Sequence, residues 1–345
     1  MAPVVDQAPG PDLSSVDIGR LEFLYNERIL VLTAGGTVTW TSANYVQSKL
    51  RDVIEAHPNV CAIDSVSDHL SESMTPRAWG DLGAAIDAKY QEHQATGLVV
   101  LHGTDTMAWS TAAMSFALRH IDAPIVFTGA MTPFGHPHSD ADANVSEAIA
   151  TVSVLPKGVY LAFGHKIYWG NRVRKVYSRD CIYSAMTDPV GHVYGEHVSV
   201  GANIPVVDGG VVAPHYEFSS DAMLLQLHPG IRLRSLSSML VDSGMRGVVV
   251  QMYGSFTGPD DMVGFVERCS DNGVMVFGTT SHGIIDEMWY PSKRGFVDHG
   301  GVLLPNIMPE TALVKLMWAL AGPDAQTRDT VSRNMAAPIA GEFVQ

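Results

Sequence analysis

The segment "GLVVLHGTDTMAWSTAAMSFAL", residues 97–118, joins an apolar run to a short polar loop and then to a small-residue apolar stretch of helical length. This order predicts a buried strand, a loop over residues 102–106, and a helix. The loop contains two threonines and an aspartate, Thr104-Asp105-Thr106. In open parallel sheets, functional groups collect at the carboxyl ends of the strands. The loop therefore indicates where chemistry would occur.

Similar apolar runs recur along the chain and alternate with helix-like segments. Because the runs are continuous, they are typical of parallel strands covered on both faces, and the alternation favours an α/β fold. The runs are "ILVLT" (29–33), "LVVL" (98–101), "PIVFTG" (124–129), "GVYLAF" (158–163), "GVVVQMY" (247–253) and "GVMVFG" (273–278), and the helical segments include 43–57, 76–93 and 106–120.

A glycine- and proline-containing stretch, residues 195–221, interrupts the alternation and predicts a hairpin or linker. We therefore expect two α/β domains: a larger N-terminal one with a mostly parallel sheet plus a hairpin, and a smaller C-terminal one. The expected limits are a flexible arm over 1–25, a catalytic domain over 26–198, a linker over 199–220 and a second domain over 221–345.

Composition restricts the class of protein. The chain has 345 residues and a formal charge of −14, so repulsion from phosphate backbones argues against nucleic acid as a main partner. There is no basic start followed by an apolar run, and no apolar run of about 18 residues that would predict a membrane span. The three cysteines, Cys61, Cys181 and Cys269, are far apart, which favours reduced thiols and a cytoplasmic location.

Three predicted strand ends carry chemically useful residues. The first is Ala34-Gly35-Gly36-Thr37, the second is the loop 102–106, and the third is "GHKIYWGNRVRKVYS" (164–178), which contains Lys166, Arg172, Arg174 and Lys175. Each has an ordinary alternative: a βα turn, a helix N-cap and a solvated basic face. Neither G-x-G-x-x-G nor a P-loop pattern occurs.

Taken together, the three strand ends suggest acyl chemistry. A threonine hydroxyl is a poor nucleophile at neutral pH and needs a base or a local field. A lysine can serve as that base, and a carboxylate such as Asp105 can hold the lysine in place. Backbone N–H groups of a glycine turn can stabilise an oxyanion.

This combination resembles the bacterial-type L-asparaginase/glutaminase family from about residue 28 onward. The family's Thr-Gly-Gly-Thr-Ile turn is present as Ala34-Gly35-Gly36-Thr37-Val38, and its His-Gly-Thr-Asp-Thr motif is matched at all five positions by 102–106. Its Arg-x-x-Lys corresponds to Arg172-Val173-Arg174-Lys175. The resemblance implies an amidohydrolase that needs neither metal nor cofactor.

The resemblance also assigns catalytic roles. Thr37 would attack the side-chain amide carbon, and Tyr45 would lie on a lid and polarise Thr37. Thr104, Asp105 and Lys175 would form a second hydroxyl–carboxylate–ammonium group on the opposite side of the substrate.

Substrate-binding roles follow in the same way. Ser71 and Glu72, in "LSESMTPRAW", would bind the α-carboxylate and α-amino groups, and the motif glycines Gly36 and Gly103 would contact the substrate. Glu287 is the candidate for a glutamate that a neighbouring subunit contributes. The expected assembly is thus a homodimer or homotetramer with intersubunit active sites.

The chain departs from the family pattern at three places. Ala34 replaces the leading threonine, the segment between Thr37 and Tyr45 is short, and "YGSFTG" (253–258) replaces a Gly-Asn-rich loop. These changes could alter the lid, the second-subunit contact or the substrate without abolishing amide hydrolysis.

The loop "GHPHSDADAN" offers a different kind of site. Its two histidines and alternating acids could hold zinc or calcium; the favoured interpretation is a polar loop that supports the active site. The residues concerned are His136, His138, Asp140 and Asp142.

The predicted function is hydrolysis of the side-chain amide of L-asparagine to L-aspartate and ammonia. Alternatives are an amidase acting on glutamine, a peptide or another small amide, an amidotransferase component, or a non-catalytic amino-acid-binding protein. The acidic charge and the absence of an added N-terminal RNA-binding module weigh against the amidotransferase component, and the paired threonines weigh against a pure binder.

Overall fold

A computed structural model of the chain describes residues 27–35, 48, 52, 56–176, 182–207, 213–281, 290–323, 325 and 327–344. The expected N-terminal arm lies outside these residues, as does most of the helical segment expected over 43–57.

Fourteen strands and eight helices have bounds within the described residues. The strands are Ile29–Ala34 (β1), Val60–Ser67 (β2), Gly97–Leu101 (β3), Pro124–Thr128 (β4), Gly158–Phe163 (β5), Lys166–Trp169 (β6), Val173–Lys175 (β7), Tyr183–Ala185 (β8), Gly191–Tyr194 (β9), His197–Val200 (β10), Ala222–Gln226 (β11), Gly247–Met252 (β12), Met275–Thr280 (β13) and Val302–Leu303 (β14). The helices are Pro76–His93 (α1), Met107–Ala117 (α2), Ala141–Val152 (α3), Leu233–Asp242 (α4), Met262–Asp271 (α5), Pro291–Asp298 (α6), Pro309–Ala321 (α7) and Arg328–Ala336 (α8).

The larger sheet has eight strands in the order β10-β9-β6-β5-β4-β3-β1-β2. β2, β1, β3, β4 and β5 run parallel to one another, whereas β6, β9 and β10 are added in antiparallel pairs. This confirms the prediction of a mostly parallel sheet with a hairpin. A separate two-stranded antiparallel pair, β7 with β8, lies outside this sheet.

The C-terminal sheet is smaller and entirely parallel, with the order β11-β12-β13-β14. The two-domain α/β architecture expected from the sequence is therefore confirmed. The limits proposed for the two domains and the linker remain predictions.

Alternate side chains of the central strands enter two different cores. Leu30 and Leu32 of β1 pack in one buried cluster with α1, α2 and α7, whereas Ile29 and Val31 pack in another with α3. The apolar runs are continuous because both faces of the sheet are covered by helices. Helix α7 belongs to the same cluster as Val249 and Phe277 of the C-terminal sheet, so this core connects the two domains.

Local signals explain where α1 begins and ends. Pro76 occupies the first turn, and the Thr75 side chain accepts a hydrogen bond from Ala78 N at 3.1 Å, which caps the helix. At the other end, Gln94 adopts a left-handed conformation with φ of 49°, which ends the helix.

Candidate active site

The loop after β3 is fixed by a buried histidine. His102 N donates to Thr128 O at 2.9 Å, and His102 Nδ1 donates to Gly103 O at 2.7 Å. Burial lowers the pKa of His102 to about 4, so the imidazole is neutral near pH 7 and the proton is on Nδ1. The peptide that leads into Thr104 is thereby held in one orientation.

Thr104, Asp105 and Lys175 meet at this loop although about 70 residues separate the lysine from the other two. Lys175 Nζ donates to Thr104 Oγ1 at 2.9 Å and to Asp105 Oδ1 at 2.7 Å. Thr104 is buried, whereas the Asp105 side chain is 63% exposed. A hydroxyl, a carboxylate and an ammonium are thus in contact at the carboxyl end of β3.

Lys175 reaches the loop from the last position of β7. Two contacts from α7 hold the chain just before it: Arg174 pairs with Glu310 at 2.9 Å, and Thr311 Oγ1 donates to Asn171 O at 2.6 Å. The lysine therefore projects from a segment that the C-terminal domain supports.

Ser71 and Glu72 lie on a short 3-10 turn, Ser71–Ser73. Ser71 is buried and its carbonyl accepts a 2.6 Å hydrogen bond from Thr106 Oγ1, whereas Glu72 is exposed. The bond links the segment after β2 to the loop after β3. The structure therefore places the predicted substrate-binding pair beside the Thr104 loop.

The turn after β1 is tightly constrained. Gly35 has φ of 75°, and a Cβ added there would lie 2.2 Å from His69 O. A side chain fits neither the conformation nor the space. Four of the predicted site residues lie outside the described residues: Gly36, Thr37, Tyr45 and Glu287.

The loop that contains His136 and Asp140 is organised by the aspartate. Asp140 accepts hydrogen bonds from Met131 N, Thr132 N and the Asn144 side chain at 2.9–3.1 Å. Met131 Sδ lies 3.5 Å from Thr104 Oγ1. The loop therefore contacts the site through Met131, which the motifs did not indicate.

Among the described residues, one group of three side chains has metal-ligand spacing: Asp64, Glu92 and His93. Lys89 Nζ lies 3.0 Å from Asp64 Oδ2 and 2.8 Å from Glu92 Oε2. The pKa of Asp64 is lowered by hydrogen bonds from His93 and Lys89. Since an ammonium already neutralises these carboxylates, the group is an ion-pair network that joins β2 to the C-terminal end of α1.

Two protein-family models match this chain. The family model described as "Asparaginase, N-terminal" matches residues 28–206, and the one described as "Glutaminase/Asparaginase C-terminal domain" matches residues 222–333. The chain belongs to the asparaginase family. Membership supports an amidohydrolase activity and leaves the amide unspecified.

Two sequence relatives of this asparaginase-family protein are named as components of an amidotransferase and not as asparaginases. A component of glutamyl-tRNA(Gln) amidotransferase from Pyrobaculum aerophilum is 30% identical over 96% of this chain and 82% of its own length. The component of the same name from Saccharolobus solfataricus is 27% identical over 91% of this chain and 76% of its own length.

Solved asparaginases share the fold. The thermostable L-asparaginase from Thermococcus kodakarensis superimposes with a TM-score of 0.79 at 26% identity, covering 92% of this chain and 99% of that one. L-asparaginase I from Vibrio cholerae gives 0.78 at 22% identity, with 92% and 99% covered, which shows the fold alone.

One contact of Thr104 could not be read from the family's motifs. Tyr183 Oη donates to Thr104 O at 2.9 Å, and the tyrosine lies eight positions after Lys175 in a segment without a motif. The one signal in the sequence is the short spacing, which allows a tight antiparallel return.

Of the helices in the described part of the chain, none is both long and apolar enough to cross a membrane.

Proposed function

We propose that the protein hydrolyses the side-chain amide of L-asparagine, giving L-aspartate and ammonia, with a threonine nucleophile. The observation that carries the proposal is the contact of Lys175 Nζ with both Thr104 Oγ1 and Asp105 Oδ1. A surface lysine paired only with a carboxylate would need no buried hydroxyl beside it.

In the proposed reaction, the Thr37 hydroxyl oxygen attacks the amide carbon and its proton leaves to a neighbouring base. The tetrahedral oxyanion collapses, the C–N bond breaks, and the departing nitrogen takes a proton to leave as ammonia. Water then attacks the acyl ester and restores Thr37. General acid–base assistance of this kind contributes about 10²–10⁴ in rate. The hydrogen-bonded Lys175–Thr104 pair supplies a route by which the proton released by Thr37 reaches the departing nitrogen.

Charges at the site suit an amino-acid substrate. Asp105 is exposed beside the cluster and Glu72 is exposed on the adjoining turn. Two carboxylates suit an α-ammonium group, and the Ser71 hydroxyl suits an α-carboxylate. We assign α-amino recognition to Glu72 and Asp105 and carboxylate recognition to Ser71.

A second candidate is deamidation of asparagine or glutamine on behalf of an amidotransferase. The supporting observation is the similarity to the glutamyl-tRNA(Gln) amidotransferase components of Pyrobaculum aerophilum and Saccharolobus solfataricus. In that case the amide nitrogen would be passed to a partner protein, and release of free ammonia by the isolated chain would be slow.

We further propose that two copies complete each site, with Glu287 of the second copy contributing. A homodimer or homotetramer would then be the active form. Gel filtration with an activity assay across the peak tests this, because a fully active monomer would exclude it.

The deciding experiment measures ammonia release from L-asparagine, L-glutamine, D-asparagine and small peptide amides. Thr37→Ala and Thr104→Ala are each expected to lose at least about 10³ in turnover, because nucleophile activation and transition-state stabilisation are both removed. If both variants keep near-parental turnover on the best substrate, the roles are wrongly assigned.

A matched pair of lysine variants separates catalysis from loss of an ion pair. Lys175→Met should lower turnover by about 10²–10⁴. Lys89→Met removes a comparable lysine, whose Nζ lies 3.0 Å from Asp64, and should leave turnover unchanged. Equal turnover in the two variants would contradict a catalytic role for Lys175.

A further inference from the structure

The hairpin formed by β7 and β8 contacts Thr104 at two separate atoms. Lys175 Nζ reaches the side-chain oxygen Oγ1 at 2.9 Å, and Tyr183 Oη reaches the main-chain oxygen at 2.9 Å. We infer that Tyr183 is a positioning residue of the active site, whose hydroxyl fixes the Thr104 peptide so that Oγ1 stays aligned with Lys175. This inference rests on the proposed amide hydrolysis.

The strand register explains why these two side chains act on one residue. Lys175 and Tyr183 are direct partners in the antiparallel β7–β8 pair. Side chains of directly opposed residues project from the same face of the pair. Both therefore point toward Thr104, one to its hydroxyl and one to its carbonyl.

The Tyr183 ring is itself held firmly. It is 1% exposed, and it packs edge-on against Phe163 with ring centroids 5.3 Å apart. Tyr168 Oη donates to Tyr183 O at 3.0 Å, which ties β8 to β6 of the large sheet. A hydroxyl on so constrained a ring has little freedom to leave the Thr104 carbonyl.

Burial, together with the nearby Asp105 carboxylate, raises the pKa of Tyr183. The phenol therefore keeps its proton throughout the range in which an amidohydrolase would be assayed, and it remains a hydrogen-bond donor. The Thr104 carbonyl therefore keeps its hydrogen bond from Tyr183 Oη throughout that pH range.

Removal of the hydroxyl would leave the ring packing intact and take a donor from a buried carbonyl. The peptide between Thr104 and Asp105 could then rotate, and Thr104 Oγ1 would shift relative to Lys175. Displacement of a catalytic group by about 1 Å can cost about 10²-fold in rate. Because Tyr183 does not belong to the proposed substrate-binding set, the loss should be in kcat.

Tyr160 provides a matched control. Its Oη donates to Pro156 O, also at 2.9 Å, its ring packs edge-on against Trp169, and its side chain is fully buried. The hydroxyl lies at the amino end of β5, away from the site. Tyr160→Phe thus makes the same chemical change in the same kind of environment.

The test compares Tyr183→Phe, Tyr160→Phe and the parent, using the full chain and the best amide substrate. Tyr183→Phe is expected to lower kcat by about 10- to 100-fold, with KM changed by less than about threefold. Tyr160→Phe should leave kcat within about twofold of the parent. Thermal unfolding should show a loss of comparable size in the two variants, since each removes a hydrogen bond from a tyrosine hydroxyl to a main-chain carbonyl.

The outcomes separate the two proposals. If the parent releases no ammonia from any amide, the proposed function is wrong and the role of Tyr183 falls with it. If the parent is active and the two variants have equal kcat, amide hydrolysis stands and the positioning role is wrong. A Tyr183→Phe defect confined to KM would also overturn it.

Discussion

At the scale of the residue, His102 shows how one buried side chain connects the site to stability. Its imidazole is 1% exposed, and its Nε2 has no hydrogen-bond partner among the described residues. Protonation would add an N–H donor at Nε2, for which the described residues provide no acceptor. Burial therefore keeps the pKa of His102 near 4.

This lowered pKa predicts a specific loss of stability in acid. The unfolded chain binds a proton at His102 below about pH 6.5, whereas the folded chain binds it only near pH 4. The contribution of neutral His102 to the free energy of unfolding is therefore fully present above pH 6.5. It is lost as the pH drops toward 4, by about 3 kcal/mol in all. Urea unfolding across this range measures the effect.

His102→Asn is the informative variant, because the amide nitrogen can replace Nδ1 as donor to Gly103 O and does not titrate. Between pH 6.5 and 4, the free energy of unfolding of the variant should fall less steeply with pH than that of the parent. The difference in slope should correspond to about one bound proton. Identical slopes for parent and variant would show that another group governs the acid response.

Single residues also show how far the sequence could predict the site. Thr104, Asp105 and Lys175 were predicted from motifs, and in the structure Lys175 Nζ lies 2.9 Å from Thr104 Oγ1 and 2.7 Å from Asp105 Oδ1. Met131 and Tyr183 were not predicted, since their contacts with Thr104 depend on how loops and strands pack. A residue type and its spacing carry no such information.

At the scale of the element, strands were predictable where both faces are buried. β1, β3, β4 and β5 appear as continuous apolar runs because helices cover both sides of the sheet. β7 and β8 have three residues each, "VRK" and "YSA". They contain no apolar run and no clear alternation, so the hairpin that carries Lys175 could not be recognised as a pair of strands.

The turn after β1 gives a second prediction. Gly35→Ala should destabilise the protein by about 2–4 kcal/mol, because a positive φ is unfavourable for alanine and the Cβ would overlap His69 O. Since Gly35 adjoins Gly36 and Thr37, amide hydrolysis should fall as well. Chemical denaturation and ammonia release measure the two effects.

Gly164 is the matched control for this substitution. Its φ is 58°, and among the described residues no atom beyond its two chain neighbours lies within 4 Å of the position of an added Cβ. Gly164→Ala should therefore cost only the conformational term, about 1–2 kcal/mol. If the two variants lose the same stability, steric overlap with His69 O is not important.

At the scale of the whole molecule, the residues after α8 return to the N-terminal domain. The carbonyls of Ala340, Gly341 and Phe343 accept hydrogen bonds from the side chains of Asn171 and Arg172 at 2.6–2.8 Å. These two residues lie just before β7. The C-terminal segment therefore supports the strand that presents Lys175.

A buried ion pair stabilises this return. Lys315 of α7 and Glu342 are both fully buried and form a salt bridge. Lys315 Nζ also donates to the carbonyls of Met335 and Ala337, and Glu342 accepts from Ala340 N at 2.7 Å. Burial lowers the pKa of Lys315, so the ammonium depends on these partners.

Glu342→Gln should destabilise the protein by about 3–5 kcal/mol, because it leaves a buried ammonium without its counter-charge. The control is the surface pair of Lys157 and Asp122, 3.7 Å apart, in which the carboxylate is exposed. Asp122→Asn should cost less than about 1 kcal/mol. Thermal unfolding measures both, and equal losses would mean that the buried pair adds no more than the surface one.

The contacts between residues 171–172 and 340–343 join positions 169 to 171 apart in the chain. During synthesis at about 5–20 residues per second, the later segment emerges roughly 10 to 35 s after the earlier one. Until then, Arg172 and Asn171 lack the carbonyls that they bind in the finished protein. The strand that carries Lys175 therefore gains these contacts only after residues 340–343 have been synthesised, and partly synthesised chains that lack them are expected to be inactive.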